Sequence, residues 1–341
     1  MIKAAIIGAT GYTGITLMDI LLKHKDVEIK YITSKSYAGK KFSEIYPKFE
    51  GLTDLVCIED DINKISKDVD VIFIALPHGI ASGKINNDIL KNSKVIDLGA
   101  DYRLKDKNIY EAWYQGEHKT PQLLDEAVYG LCELNREKIK KAKLIANPGC
   151  YTTASILALS PFVKHKLIDT KSIIIDAKSG VSGAGRSLNI QNLYCETNEN
   201  IKAYKVASHR HTVEIEQELT LLNDNEKINL TFTPHLTPMN RGILSTCYAK
   251  FKNKIDIDYL IDLYKKFYAN EFFIRIKNSA NDVETKFVAN SNFVDIGISY
   301  DERTNSIIVT SAIDNLIKGA SGQAVQNMNI MFNLKESEGI K

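Results

Sequence analysis

Cysteine is sparse and unpaired in this chain: five residues in 341, at positions 57, 132, 150, 195 and 247, an odd number with no C-x-x-C spacing. That excludes a disulfide framework and points to a reducing, cytoplasmic setting. An excess of one charge is missing too. Lys+Arg at 44 against Asp+Glu at 42 leave +2, which provides no bulk field for a nucleic-acid or membrane partner. No apolar run approaches the length of a membrane span. The opening "MIKAAIIGATGYTG" is broken by glycine and threonine too early for a signal peptide, and reads as a strand and turn. There is no repeat and no low-complexity segment; only the terminal "KESEGIK" reads as frayed. What is present is an ordinary globular composition, 44% hydrophobic and 25% charged, long enough for two domains.

Residues 2–7 form a β-rich apolar run without alternation, as in a strand buried on both faces. Gly8, Gly11 and Gly14 follow in a G-x-x-G-x-x-G variant of the dinucleotide fingerprint. They lead into a helix whose apolar side carries Ile15, Met18, Leu21 and Leu22. Glycines between a strand and a helix let the backbone approach a pyrophosphate, which then rests on the helix's free N–H groups. The next strand, "VEIKYITSKS" at 27–36, ends about 20 residues on, where an NAD enzyme carries an acid for the ribose. Thr33, Ser34, Lys35 and Ser36 stand there instead. A cation among hydroxyls suits a 2′-phosphate, so NADP is expected over NAD, with a solvated loop lysine as the plain alternative.

Further βα units follow. "DVIFIALPHG" (70–79) is a buried strand ending at Pro77, where the chain would pass the cofactor. "KVIDLGADYRL" (94–104) carries Asp101 and Arg103 past its end, and "AKLIANPGC" (142–150) ends on Cys150. Ligands of open parallel sheets bind beyond the carboxyl ends of strands, so Arg103 and Cys150 are both site candidates. The alternative for Arg103 is an ion pair with Asp101 or Asp106.

In "LIANPGCYTTASILALSPF" the thiol opens a segment of helical spacing that ends before Pro161. Amide groups at a helix start stabilise a thiolate and could hold an oxyanion on an attacked carbonyl. Cys57, Cys132, Cys195 and Cys247 read as inert buried hydrophobes. Of seven histidines, His209 and His211 precede an amphipathic segment whose first turn carries Glu214. In an extended segment the two would share a face with Arg210 turned away. With Cys150 they could ligate zinc, although no further ligand cluster accompanies them. From about residue 172 the pattern turns to long β-rich runs with a Gly/Ser-rich loop at 179–187 and a closing helix from about 319. This suggests an α+β catalytic domain with a mostly antiparallel sheet that could support oligomerisation.

The segments "GATGYTG", "TSKSYAGK", "ALPHG", "VIDLGADYRL", "YGLCELNR", "NPGCYTTA", "SGVSGAG", "HRHTVEIEQ", "TPMNRGIL" and "DNLIKGASGQAVQNMN" run nearly the whole length of the chain. Together they resemble the N-acetyl-γ-glutamyl-phosphate reductase family of arginine biosynthesis. The resemblance implies an α/β fold with a Rossmann-type NADP-binding domain of residues 1–149 and 318–341 and a catalytic, oligomerising domain of 150–317. It implies reduction of N-acetylglutamyl phosphate by NADPH through a cysteine thioester, with release of phosphate and no metal. By position, Cys150 would be the nucleophile and His209 the acid/base. His211 would lie nearby and Arg103 would bind substrate. Gly8, Thr10, Gly11, Tyr12, Thr13, Gly14, Ser34, Lys35, Pro77, Ser179, Gly180 and Asn315 would make the cofactor site. The family's second strand often ends Ser-Arg; here it is Ser34-Lys35. A homo-oligomer, dimer or tetramer, is also implied. Aspartate-semialdehyde dehydrogenase has the same chemistry on a shorter substrate, and "HRHTVEIEQ" and "SGVSGAG" argue against it. A Cys/His hydrolase and a non-enzymatic NADP sensor are the rivals of other classes.

Overall fold

The computed structural model describes residues 1–253 and 256–340. The chain divides into two compact units, Met1–Pro148 with Ala320–Lys341, and Gly149–Gly319. Among the described residues no helix is long and apolar enough to cross a membrane.

The first unit is built on seven parallel strands: β1 (Ile2–Ile7), β2 (Val27–Thr33), β3 (Cys57–Ile58), β4 (Val71–Ile74), β5 (Lys94–Asp97), β6 (Val128–Tyr129) and β7 (Leu144–Ala146). Their order is β3-β2-β1-β4-β5-β7-β6, so the winding reverses between β1 and β4. Ala4–Ile7 and all of Val71–Ile74 are buried, which is why these strands lack alternation: both faces of the sheet are covered. Helix Tyr12–Leu21 buries Leu17, Met18, Ile20 and Leu21. Ile15 and Leu22, expected on its apolar side, are only half-buried. Helix Gly322–Met331 is buried at every residue and packs on helices Cys132–Ile139 and Tyr12–Leu21.

The tail after that helix is tied down, contrary to its frayed look in the sequence. Glu336 takes both arms of the Arg136 guanidinium, at 2.5 and 3.2 Å, and a bond from Gln326. Asn329 donates to the carbonyls of Glu336 and Glu338. Ser337 and Ile340 are buried; Lys341 lies outside the described residues. A polar heptapeptide carries no periodicity to reveal such anchors, which are supplied from 7 to 200 residues away.

The second unit holds a mixed sheet: β8 (Ile168–Gly180), β9 (Lys202–Ala203), β10 (Thr231–Thr237), β11 (Ile243–Phe251), β12 (Ile274–Lys277), β13 (Val294–Asp301) and β14 (Ser306–Ile313). The order is β12-β13-β14-β11-β8-β10-β9. Four pairings are antiparallel; β8–β10 and β12–β13 are parallel. β10 and β11, neighbours in sequence across a Pro/Asn/Gly turn, do not form a hairpin, because β8 is inserted between them. One face of the sheet packs on helix Cys150–Lys164, which is buried from Tyr151 to Val163. The other face presents a cross-strand row of Thr231, Ile174, Tyr248 and Ile308, with Ile174 48% exposed.

The Cys150 helix runs through Pro161 to Lys164 instead of stopping before it. Proline in a helix orphans the carbonyl four residues earlier. Here that carbonyl, on Leu157, accepts the Tyr268 hydroxyl at 2.6 Å, and the Tyr264 hydroxyl donates to Ala158. Tyr268, at the end of the Ile257–Phe267 helix, thus replaces the missing donor, and Tyr264 braces the next carbonyl.

Truncating the chain after Leu334 removes the Glu336 anchors and the buried Ile340. Losses of about 1.5–3 kcal/mol each for a charged hydrogen-bonded pair and a buried aliphatic are expected, lowering the melting temperature by about 5 °C or more in differential scanning calorimetry.

Candidate active site

In the first unit the three glycines have different causes. Gly8 adopts φ +86°, and a Cβ there would lie 2.6 Å from the Ala75 carbonyl oxygen. A Cβ on Gly14 would meet Gly8 O at 2.5 Å and Ala9 backbone atoms at 2.6 Å. Both are required by internal packing. Around Gly11 the nearest atom that a Cβ would meet is 3.9 Å away, so nothing among the described residues explains its lack of a side chain. Open space at the middle glycine is what a phosphate approaching the backbone needs.

Gly11 is the N-cap of helix Tyr12–Leu21, without a side-chain cap and with no acid in the first turn. The amides of Tyr12, Thr13 and Gly14 therefore face no carboxylate of their own helix, as an anion site requires. The turn is braced from β2: Thr33 Oγ1 accepts Gly8 N–H at 3.1 Å, and Thr10 and Ser34 hydroxyls meet at 2.8 Å. Tyr46, absent from the sequence expectations, donates its hydroxyl to the Thr10 carbonyl at 2.6 Å. Ser34 is buried, whereas Lys35 and Pro77 are exposed. These residues fit a dinucleotide whose pyrophosphate sits on the glycine turn.

Arg103 is buried, and its donors reach backbone: Nε to Asn147 O at 2.8 Å and Nη2 to Leu98 O at 3.1 Å. The guanidinium ties the loops after β5 and β7 together. Beside it Asp97, fully buried next to Asp101, has its carboxyl pushed up to about 7, chiefly by burial and then by the Asp101 charge.

In the second unit Cys150 is the first residue of its helix and is only partly buried. The mouth of that helix is held by Glu214, a fully buried side chain whose Oε1 accepts Gly149 N–H at 2.9 Å and lies 2.9 Å from Thr152 Oγ1. Gly319 packs so closely on Cys150 that a Cβ there would lie 2.7 Å from Cys150 Cβ. Tyr151 then gathers the histidines: the rings of His209 and His211 each lie 5.8 Å from its ring and 4.7 Å from one another. Its hydroxyl donates to His235 O and accepts from Tyr204.

The histidines do not sit on an extended segment. Arg210 is helical, and His211 opens helix His211–Leu222. The rings meet because His211 N–H donates to His209 Nδ1 at 3.1 Å, turning the chain at Arg210. With Nδ1 an acceptor, the neutral His209 ring carries its proton on Nε2. Burial, then His211, Lys205 and Arg210, push its pKa down to about 2. Glu214 lies one turn on from His211; that i, i+3 spacing is the sequence signal that could have found it. Among the described residues no three His, Cys, Asp or Glu side chains are grouped to hold a metal.

Ser179, Gly180 and Asn315 form one clamp. Asn315 accepts Gly242 N–H at 2.8 Å and donates to Ser182 Oγ at 3.0 Å. Gly180 lets β8 run against the Asn240–Arg241 backbone, where a Cβ would lie 2.6 Å from Asn240 O. Ser179 Oγ donates to Gly180 O. Of the other cysteines, Cys57, Cys132 and Cys247 are buried, but Cys195 is exposed, against expectation. It sits in a four-residue helix, Tyr194–Thr197, that buries no residue.

Residues 3–142 match the semialdehyde dehydrogenase NAD binding domain, and residues 150–315 match the semialdehyde dehydrogenase dimerisation domain. Over 341 residues, all of this chain and 98% of the relative, it is 53% identical to an N-acetyl-gamma-glutamyl-phosphate reductase of Lachnoclostridium phytofermentans. The chain belongs to that reductase family. Relatives with the same name from Lachnospira eligens and Campylobacter jejuni subsp. doylei are each 52% identical over the full chain. Among solved structures, aspartate semialdehyde dehydrogenase II of Vibrio cholerae, complexed with ASA, superposes with a TM-score of 0.73 at 18% identity, covering 98% of both chains. The Candida albicans aspartate semialdehyde dehydrogenase with NADP gives 0.67 at 17%, covering 97% of this chain and 98% of that one. Those likenesses show the fold. The reductase is thus an NADP-dependent oxidoreductase.

The glycines separate folding from binding. Gly14→Ala should melt well below the wild type, because its Cβ has no room. Gly11→Ala should keep the wild-type melting temperature but bind the dinucleotide about tenfold or more weakly, read by fluorescence titration. The buried histidine sets a pH dependence. The unfolded chain protonates His209 near 6.5 and the folded chain only near 2. Its contribution to stability is therefore present above 6.5 and lost as pH falls below it. His209→Asn, which keeps an acceptor for His211 N–H, should reduce the slope of unfolding free energy against pH between 5 and 6.5 by about one proton.

Proposed function

We propose that the reductase converts N-acetyl-L-glutamyl 5-phosphate to N-acetyl-L-glutamate 5-semialdehyde with NADPH. The names of its full-length relatives support the substrate. The site observation that carries the chemistry is a partly exposed thiol at a helix start with two histidines gathered on the next residue. Cys150 as thiolate attacks the acyl carbon; the carbon–sulfur bond forms as the carbon–oxygen bond to phosphate breaks, and inorganic phosphate leaves. Substrate binding we assign to Arg103. Bound NADPH supplies a hydride to the resulting thioester. The developing oxyanion rests on amides at the start of the Cys150 helix. His209, with its proton on Nε2, serves that oxygen as acid or hydrogen-bond donor, and His211 sits against the substrate. Collapse expels the Cys150 sulfur and releases the aldehyde. Acyl phosphate, NADPH and one proton thus give aldehyde, NADP and phosphate.

NADP over NAD is supported by Ser34 and Lys35 at the end of β2, where no acid stands. We also infer a homo-oligomer, a dimer or tetramer, using the open sheet face with its exposed Ile174 and Tyr248. Five free cysteines support a reducing cytoplasm.

Run in reverse, purified protein with N-acetylglutamate 5-semialdehyde, NADP and inorganic phosphate should produce NADPH absorbance that requires phosphate and is absent with aspartate semialdehyde. Cys150→Ser should lose at least about a thousandfold in kcat while retaining NADPH binding. Substantial turnover by that variant would remove the thioester. Lys35→Glu should weaken NADPH more than NADH.

A further inference from the structure

We propose that Asp101 is a positioning residue for the cofactor, acting by clasping from beneath the loop that leaves β4. The argument starts at the first glycine of the cradle. The space a Gly8 side chain would fill is taken by the Ala75 carbonyl, so the exit of β4 is pressed against the glycine turn at the reversal of strand order. From there Pro77, His78, Gly79 and Ile80 run exposed over the carboxyl end of the sheet. Such a loop, in a doubly wound sheet, borders the bound dinucleotide.

The His78 ring lies 5.6 Å from that of Tyr114, and the backbone of the loop is held from below. Asp101 is fully buried. Its Oδ1 accepts Gly79 N–H at 2.6 Å and the Tyr110 hydroxyl at 2.9 Å, and its Oδ2 accepts Ser82 N–H at 2.9 Å. Gly79 has φ +82°, the conformation that lets a residue at the loop's crest aim its amide inward. Asp101 is fixed in turn, because its own carbonyl lies 2.7 Å from His118 Nε2, and the Tyr110 and His118 rings pack edge to face. Tyr110 is pushed above the usual phenol range by burial and by Asp101, so it remains a donor. Asp97, beside Asp101, is raised chiefly by burial and then by the Asp101 charge.

A carboxylate with donors on both oxygens behaves as an internal anion that uses up loop amides. Two consequences follow. The loop cannot offer those amides to a phosphate. And the position of Pro77 depends on the side chain that holds Gly79, two residues on.

The inference rests on the reading of this unit as an NADPH site, which wild-type NADPH titration tests separately; the variants are judged only by their ratio to wild type. Asp101→Asn replaces one acceptor oxygen by a donor facing donors. It should raise the NADPH dissociation constant about tenfold or more, since bonds to charged groups are lost. The KM values for aldehyde and phosphate should move less than about twofold, whereas a general loosening of the unit would lower the active fraction or shift all three. Tyr110→Phe removes one donor and should raise the NADPH constant about two- to fivefold; it decides the matter if Asp101→Asn does not fold. An unchanged NADPH constant in folded Asp101→Asn, or, where that variant does not fold, in Tyr110→Phe, overturns the proposal. So does an equal rise in the aldehyde or phosphate KM.

Discussion

Glu214 holds the second unit's site together through one buried carboxylate at the mouth of its most buried helix. The Gly149 amide and the Thr152 hydroxyl converge on Oε1. A buried carboxylate left without such donors costs several kcal/mol, so the two helices that carry them are bound to each other in one register. One begins with Cys150 and the other with His211. Fixing Glu214 against Gly149 therefore fixes the thiol relative to the histidines, and Tyr151 packs into the space between. The same carboxylate takes one of the amides at the helix mouth, so the positive end of the helix is shared between an internal acid and the sulfur of Cys150.

The first unit solves the burial of charge differently. Asp97, Asp101 and Arg103 lie within seven residues, all buried. Asp101 is satisfied by two amides and a phenol, and Arg103 by two backbone carbonyls. Asp97 takes backbone bonds from Gly99 and Asp101, and its Oδ2 lacks a hydrogen-bond partner among the described residues. Burial, and then the Asp101 charge, outweigh those bonds, so this is the group that gives up its charge. Its effect on stability opposes that of His209. The unfolded carboxyl ionises near 3.8 while the folded one waits until about 7, so this contribution is lost as pH rises through that window.

Much of the fold was legible because it rests on short-range patterns. Unalternating runs marked strands covered on both faces, and the strand–glycine–helix order marked the parallel unit. Other features depend on partners far along the chain. Glu214 meets Gly149 across 65 residues, and Glu336 meets Arg136 across 200. Neither leaves a local period. β10 and β11 resemble a hairpin in sequence, and only the insertion of β8 separates them. Pro161 reads as a helix stop from its own chemistry alone, since its replacement donor is Tyr268, 111 residues from the carbonyl it serves. The bonds that Asp101 accepts from the Gly79 and Ser82 amides were not legible, because charge is visible in a sequence and loop amides are not.

The cysteines show how much of the site's chemistry is burial. Full burial pushes the Cys247 thiol up to about 12, and burial raises Cys57 as well, which removes thiolate from both at neutral pH. Cys132 is buried, with its sulfur 3.4 Å from Asn327 Oδ1. Cys195 is accessible, but its four-residue helix gathers no set of aligned amides. Cys150 alone among the five combines partial exposure with the start of a fifteen-residue helix. Composition could rank the other four together as inert, and for three of them burial is the reason. For Cys195 the reason is different: an accessible thiol becomes a catalyst only where fixed donors also surround the atom it attacks.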